Sequence, residues 1–506
     1  MGVKTKIISL VARYTRRQIA HESRRALQHQ AETFQTLIRK GKETQFGKDH
    51  HFDTITSPKD FARLVPIRDY EDLKPYIEQI IAGEDDVLWP GKPIYFAKTS
   101  GTTSGVKYIP ITRDSIHNHI GIARKALFNM VSTLKLNDLF DGKFIFLSGS
   151  PVLDEKGEVP TGRLSGIVNH WIPSWLRSNQ MPGYETNCIE DWEIKVDKIA
   201  RETLHEDMRI ISGIPPWVQM YYQRLLELSG KPDIKSLFPN LKLFVYGGVQ
   251  FEPYRAQLEK LTGGTIASME TYPASEGFIA FQDQKDTDTG LLLQCHTGIF
   301  YEFVPTDEIH LEAPTRHTLD TIETGVDYAL IMSTNAGLWA YSIGDTIEFT
   351  SKDPYRIHVT GRVKHFISAF GEHVIAKEVE EALKIAVTQH PCLVTEFTVA
   401  PQVNPGPTEK PYHEWWIEFG EPPQNPEGFA TALNQAMVEQ NVYYKDLIDG
   451  KILQPLIVRY LPPDSFKRYM LSIGKLGGQN KVPRLSNDRA IAEALERLEK
   501  PTRNVS

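Results

Sequence analysis

Between residues 90 and 270, short apolar runs alternate with stretches of helical periodicity, and glycines or prolines stand at most of the junctions. Residues 94–97, 143–147, 209–213, 241–246 and 265–269 read as strands; residues 112–134, 191–205, 215–228 and 252–261 read as helices. Parallel strands need a crossover that a helix supplies, so this alternation specifies α/β layers around a largely parallel sheet. In such layers ligands sit at the carboxyl ends of the strands. The residues that follow each apolar run are therefore the ones to inspect for function.

The first run delivers Lys98-Thr99-Ser100-Gly101-Thr102-Thr103-Ser104-Gly105-Val106-Lys107. Glycines let a backbone approach a ligand closely, and hydroxyls with free N–H groups hydrogen-bond a polyanion. The spacing is not that of the Walker loop, which has four residues between its glycines and Lys-Ser/Thr directly after. Here three residues separate Gly101 from Gly105, and Tyr108 follows Lys107. A plain polar strand-to-helix turn has the same composition.

Composition narrows the class. A formal charge of -7 over 506 residues argues against a nucleic-acid binder, whose balance is basic. Cys188, Cys295 and Cys392 are widely spaced and lack metal spacing, which fits reduced thiols and a cytoplasmic setting. No run approaches the roughly 18 apolar residues of a spanning helix. Near the N-terminus Ile7, Ile8, Leu10, Val11 and Tyr14 form an apolar face among Arg13, Arg16, Arg17, Arg24 and Arg25. Such a segment can rest on a membrane surface, or pack on the protein body with a solvated basic face. Gly2 does not complete a lipidation pattern, because Lys6 stands where Ser or Thr belongs.

Residues 278–350 change to short β-patterned runs, which predict an antiparallel sheet or a small β-barrel-like part. A further shift at Ser351-Lys352-Asp353-Pro354 opens an α+β stretch of normal domain size. The expected organisation is α/β: a large N-terminal domain over 1–353, and a smaller mobile α+β domain over 354–506.

Three further segments suit a nucleotide. Thr271-Tyr272-Pro273-Ala274-Ser275-Glu276 offers an aromatic plane, hydroxyls and a carboxylate able to hold Mg2+, a cation that prefers oxygen ligands. Tyr341-Ser342-Ile343-Gly344-Asp345 ends in a carboxylate that can accept both ribose hydroxyls. Lys481-Val482-Pro483-Arg484 follows Gly477-Gly478 near the end of the chain. Singly, each also reads as an ordinary turn or surface residue.

In this order, and with Gly361-Arg362 between the last two, the series resembles the adenylate-forming superfamily. Within it, the text from Val65-Pro66-Ile67-Arg68-Asp69-Tyr70 to Pro110 and the Gly-Gly-Gln-Asn-Lys-Val-Pro-Arg ending are most similar to the acyl acid amido synthetases, the Gretchen Hagen auxin-responsive family. Pro273 departs from the small residue more usual there. The resemblance implies ATP and Mg2+, a carboxylic acid and an amino acid as small-molecule partners, and a monomeric enzyme with no nucleic-acid partner. It implies that Ser100, Gly101, Thr102, Thr103, Ser104, Gly105 and Lys107 hold phosphates and that Glu276 holds the metal. Gly247, Gly248, Thr271, Tyr272, Ser275, Asp345 and Arg362 would hold the nucleoside, and Lys107, Thr103 and Lys481 would act in catalysis. An apolar acyl pocket is expected from His117, His170, Trp171, Trp217 and Val218. Acid:CoA ligation and non-catalytic nucleotide binding are the competing readings.

Overall fold

The computed structural model describes residues 3–102, 105–248, 251–285, 289–309, 311–363, 366–372, 374–406, 409–473 and 482–499. The chain forms two compact units. The first comprises Met1–Thr99, Lys107–Glu190 and Ile194–Val363, and the second Ser100–Val106, Asp191–Glu193 and Lys364–Ser506. The break thus lies after Val363 rather than after Asp353. The Asp353-Pro354 turn closes a hairpin, and residues 355–362 pair with the preceding strand along their whole length.

One mixed sheet of 11 strands organises the first unit. Its parallel half contains Gln180–Met181, Lys143–Phe146, Met208–Ser212, Leu243–Gly247 and Ala267–Ala274. From Ala267–Ala274 the sheet continues antiparallel through Gly277–Phe281, Leu291–Leu293, Tyr355–Arg362, Tyr341–Lys352 and Asp327–Thr334 to Ile299–Pro305. The β-patterned stretch after residue 278 is therefore an antiparallel extension of the main sheet rather than a barrel-like part of its own. Nearly every side chain of Ile299–Pro305 and Asp327–Thr334 is buried, as expected for strands covered on both faces.

Helices cover this sheet where the sequence carries start signals. Ser57 and Asp69 each close a capping box, at Pro58–Leu64 and Tyr70–Ile81. Before the helix Ile116–Leu134, Thr112 and Ser115 bond reciprocally: the Thr112 N–H donates to Ser115 Oγ at 2.9 Å, and the Ser115 N–H donates to Thr112 Oγ1 at 3.1 Å. The helix Ala26–Gly41 is tied to the sheet by buried Gln30. Its amide donates to the carbonyls of Cys295 and Ile299 and accepts from the N–H of Tyr301.

A smaller sheet contains Gly105–Ile111, Tyr95–Thr102, Val159–Gly162 and Asp154–Lys156. The hydroxyl-rich stretch therefore makes up the end of one strand, to Thr102, and the start of the next, from Gly105, rather than a turn between a strand and a helix. Its threonines are β-branched and favour extended backbone, and Ile109 and Ile111 beyond it are buried at period two.

The second unit is α+β, as expected: strands Leu393–Gln402, Tyr412–Glu421 and Ile457–Leu461 form a sheet, accompanied by helices Ala376–Gln389 and Pro426–Gln440. Two buried carboxylates organise the start of Ala376–Gln389. Glu372 meets His413 Nε2 at 2.7 Å and also accepts the N–H of Phe370. Glu378 accepts the N–H of Ile375 at 2.9 Å and the amide of Asn441 at 3.0 Å, both on the same oxygen.

Burial pushes the Glu378 carboxyl from 4.5 up to about 7, against the opposing pull of those two hydrogen bonds. The folded state thus keeps a proton that the unfolded chain releases, so stability falls as pH rises from 4.5 to about 7 and is level above it. Glutamine reproduces the protonated form, with its carbonyl oxygen placed where both donors point. Glu378→Gln is expected to remove this pH dependence, and to stabilise the protein by about 2 kcal/mol at about pH 8 while leaving it nearly unchanged at about pH 4. Denaturant midpoints at the two pH values check this.

Candidate functional site

Register builds the centre of the site. In the hairpin of Tyr341–Lys352 and Tyr355–Arg362, Asp345 stands directly opposite Arg362. The Arg362 Nε–H donates to Asp345 Oδ1 at 2.5 Å, and the Tyr272 hydroxyl donates to Asp345 Oδ2. Gly344 turns the chain into Asp345 with φ of +87°, the left-handed region that favours glycine. Burial, and then the Asp345 carboxylate, push the Tyr272 phenol well above its usual value. Burial works against the Arg362 charge, but Asp345 more than offsets it, so the guanidinium pKa is raised. Tyr272, Asp345 and Arg362 are one connected array.

Glu276 lies beside this array. Ser275 and Glu276 form the two-residue turn of the hairpin that pairs Ala274 with Gly277. The turn places the Glu276 side chain inward, 9% exposed. Burial pushes its carboxyl up, Lys107 pulls it down most strongly among the charged groups, Asp345 pushes it up and Arg362 pulls it down. The structure thus brings Lys107, Glu276, Asp345 and Arg362 within electrostatic reach of one another. The Lys107 ammonium also lies 5.9 Å from the centroid of the Tyr70 ring.

Tyr341, from the same Tyr-Ser-Ile-Gly-Asp segment, is a further member that sequence reading passed over. It is fully buried, Glu276 and Arg362 both act on its phenol, and its hydroxyl has no hydrogen-bond partner among the described residues. Its position in the motif was the available signal.

Gly247 and Gly248 end the strand Leu243–Gly247 for different reasons. A Cβ on Gly247 would lie 2.2 Å from the carbonyl oxygen of Thr271, so packing against the next strand requires this glycine. Gly248 has φ of +80°, and among the described residues the nearest neighbour of a Cβ there would be Ile214 at 3.8 Å. The Thr271 hydroxyl donates to the carbonyl of Tyr246 at 2.9 Å and ties these two strand ends together.

Of the residues expected to hold phosphates, Thr103 and Ser104 lie outside the described residues, as does Lys481. Ser100, Gly101, Thr102 and Gly105 are described as backbone only. Among the acyl-pocket candidates, His117 and Trp171 come together edge to face, with centroids 6.4 Å apart at 82°. His170 Nε2 lies 2.7 Å from the Pro151 carbonyl oxygen. Trp217 and Val218 belong to the helix Pro215–Ser229, where Val218 is fully buried beneath Gly213 and serves as core.

Sequence reading also missed Lys195. Its buried ammonium donates to the carbonyls of Ser148 and Asn187 at 3.0 and 2.7 Å, and burial lowers its pKa to about 8. It pins the chain that leaves the strand Lys143–Phe146. A lone lysine in a helical pattern carries no signal for such a role.

The donor set suits a nucleoside triphosphate with a hard cation. Among the described residues no group of three or more His, Cys, Asp or Glu side chains could hold a metal. Glu276 is instead a single buried carboxylate beside a lysine. That fits Mg2+, which binds through one or two carboxylates and completes its shell with phosphates and water.

Comparison with known proteins gives a consistent relationship along the chain. The model of the GH3 family N-terminal domain matches residues 15–181 and 151–266, that of the GH3 family central domain matches 292–362, and that of the GH3 family C-terminal domain matches 377–490. The chain is 22% identical to indole-3-acetic acid-amido synthetase GH3.3 of Arabidopsis thaliana, over 92% of this chain and 90% of that protein. It is also 22% identical to jasmonoyl--L-amino acid synthetase GH3.5 of Oryza sativa subsp. japonica, over 92% of this chain and 93% of the other. The solved structure of AtGH3.15 acyl acid amido synthetase in complex with 2,4-DB shares the fold, with a TM-score of 0.62, 16% identity and 96% of each chain covered.

Proposed function

The chain belongs to the GH3 family, and from that premise we propose that it is an ATP-dependent acyl acid-amido synthetase. In the first step a carboxylate oxygen of the acid attacks the α-phosphorus of ATP, the bond to the β-phosphate oxygen breaks, and acyl-adenylate and pyrophosphate form. In the second, an amino-acid amine attacks the acyl carbonyl, loses a proton, and displaces AMP as the amide forms. The observation that carries this reading is the buried Tyr272–Asp345–Arg362 array with Glu276 and Lys107 beside it.

Phosphoryl transfer asks mainly for positioning and for charge placed where charge develops. Asp345, oriented by Tyr272 and Arg362, accepts the ribose hydroxyls. Gly248 admits the base at the strand end, next to Tyr272. Lys107 and the hydroxyls of Ser100, Thr102, Thr103 and Ser104 neutralise and orient the phosphates. Mg2+, when bound at Glu276, supplies charge neutralisation for the departing pyrophosphate. Lys481 supplies positive charge to the carboxylate and the α-phosphate during adenylation. His117 and Trp171 belong to the acyl pocket.

The test is a panel of carboxylic acids crossed with amino acids, with ATP and Mg2+ present, scored by mass. The expected result is AMP and a new amide only where both an acid and an amino acid are present. AMP release that requires CoA in place of the amino acid would assign the chain to acid:CoA ligation instead.

A further inference from the structure

The helix Val3–Ser23 presents two apolar faces. One is buried: Ile8, Ala12 and Ile19 join a core with Ile122, Ala126, Phe128 and Met130 of the helix Ile116–Leu134. The other points outward: Ile7, Leu10, Val11 and Tyr14 are 55%, 63%, 40% and 69% exposed. At about 100° per residue these four positions share one arc of roughly 100°. A helix that only packs on the body has no use for this second stripe, because leaving four large apolar side chains in water forgoes their burial.

The surroundings of the stripe have one sign. Lys6, Arg13 and Arg17 fall within roughly 40° of one another along one flank of it, and all are exposed. On the other side, a groove of about 760 Å3 runs between Ile7, Val11, Tyr14 and the helix Ile116–Leu134, with Arg124 and Lys125 at its border. Glu22 is the sole acidic residue of the helix. Lys125 contacts both its oxygens at 2.8 Å and His296 lies 3.0 Å away. The acidic partner that would offset the arginines is therefore already engaged. This concentration of positive charge sits on a protein whose formal charge is -7.

We infer that this face docks on an anionic phospholipid surface, lying in the plane of the interface. Ile7, Leu10, Val11 and Tyr14 enter the headgroup boundary, and the basic flank meets lipid phosphates and carboxylates. Amphipathic helices bind interfaces through this combination of apolar area and cationic attraction. Among the described residues no helix is long and apolar enough to cross a membrane, so the contact is peripheral. A second copy of the chain fits the face less well. Pairing stripe on stripe would set the arginine flanks near one another, while the helix's one acidic residue, Glu22, is already engaged by Lys125.

Co-sedimentation of the full chain with vesicles tests this. Expected is binding to phosphatidylcholine vesicles containing about one third phosphatidylserine, weak or no binding to pure phosphatidylcholine, and release in high salt. Leu10→Asp/Tyr14→Asp, and separately Arg13→Glu/Arg17→Glu, should each lower the partition at least about tenfold. All four positions are exposed, so both variants should keep the melting temperature and the solution activity of the parent. Equal binding by parent and variants would overturn the inference. So would absence of binding to the anionic vesicles, or a concentration-dependent dimer that Leu10→Asp/Tyr14→Asp abolishes.

Discussion

Asp345→Asn is expected to lower kcat/KM for ATP by about 10²–10³-fold, with the folded state retained. The carboxylate stands opposite Arg362, with the Tyr272 hydroxyl on its other oxygen. Asparagine keeps the shape but replaces one acceptor oxygen by a donor, so it cannot serve Arg362, Tyr272 and two ribose hydroxyls at once. Hydrogen bonds to a charged group are worth about 1.5–3 kcal/mol each, and losing two of them near the lower end of that range gives a factor of this size. The loss should appear in nucleotide binding as well as in turnover, because the proposed bonds to the ribose are made in the ground state too. Asp345→Glu keeps the charge for Arg362 but moves it by one methylene. It should melt closer to the parent than Asp345→Asn does, and still bind nucleotide poorly. Isothermal titration with ATP alongside steady-state kinetics separates these effects, and parent-like ATP affinity in Asp345→Asn would remove Asp345 from the ribose site.

Lys481→Ala is expected to behave differently. Its proposed role is to meet charge that develops as the carboxylate attacks the α-phosphate, so its removal should act on the transition state rather than on ATP binding. Acid-dependent pyrophosphate exchange should fall by about 10³-fold while ATP affinity stays within about threefold of the parent, the pattern seen when one electrostatic stabiliser is deleted. Transfer from a supplied acyl-adenylate to the amine should continue. Unchanged exchange in Lys481→Ala would exclude this lysine from adenylation.

Four strands of the parallel half were legible in the sequence, because they are apolar runs punctuated by glycine and helical periodicity; Gln180–Met181, two residues long and half polar, carries no such pattern. The hairpin around the hydroxyl-rich stretch was not. Its polarity reads as a turn, and the buried alternation of Ile109 and Ile111 is only two residues long. The Asp353-Pro354 pair reads as a linker, while the pairing of Asp345 with Arg362 across that turn keeps both strands in one unit.

For the site, motif order named Tyr272, Glu276, Asp345 and Arg362, and the structure gathers them. The bond between Tyr272 and Asp345 spans 73 positions and leaves no trace in local pattern. The same holds for the contact of His117 with Trp171 and for the burial of Lys195. Gly247 shows the converse: it sits in a functional-looking pair, and close packing on Thr271 by itself already requires a glycine there.

In the proposed reaction the acid is activated by attack on the α-phosphorus and then handed to an amine. Heavy-oxygen labelling of the acid's carboxylate tests it most directly, with AMP, pyrophosphate and amide each examined by mass. One labelled oxygen in AMP is expected for every amide formed, and none in pyrophosphate. Label in inorganic phosphate, with ADP as the nucleotide product, would mean that the acid attacks the γ-phosphorus, and would contradict it.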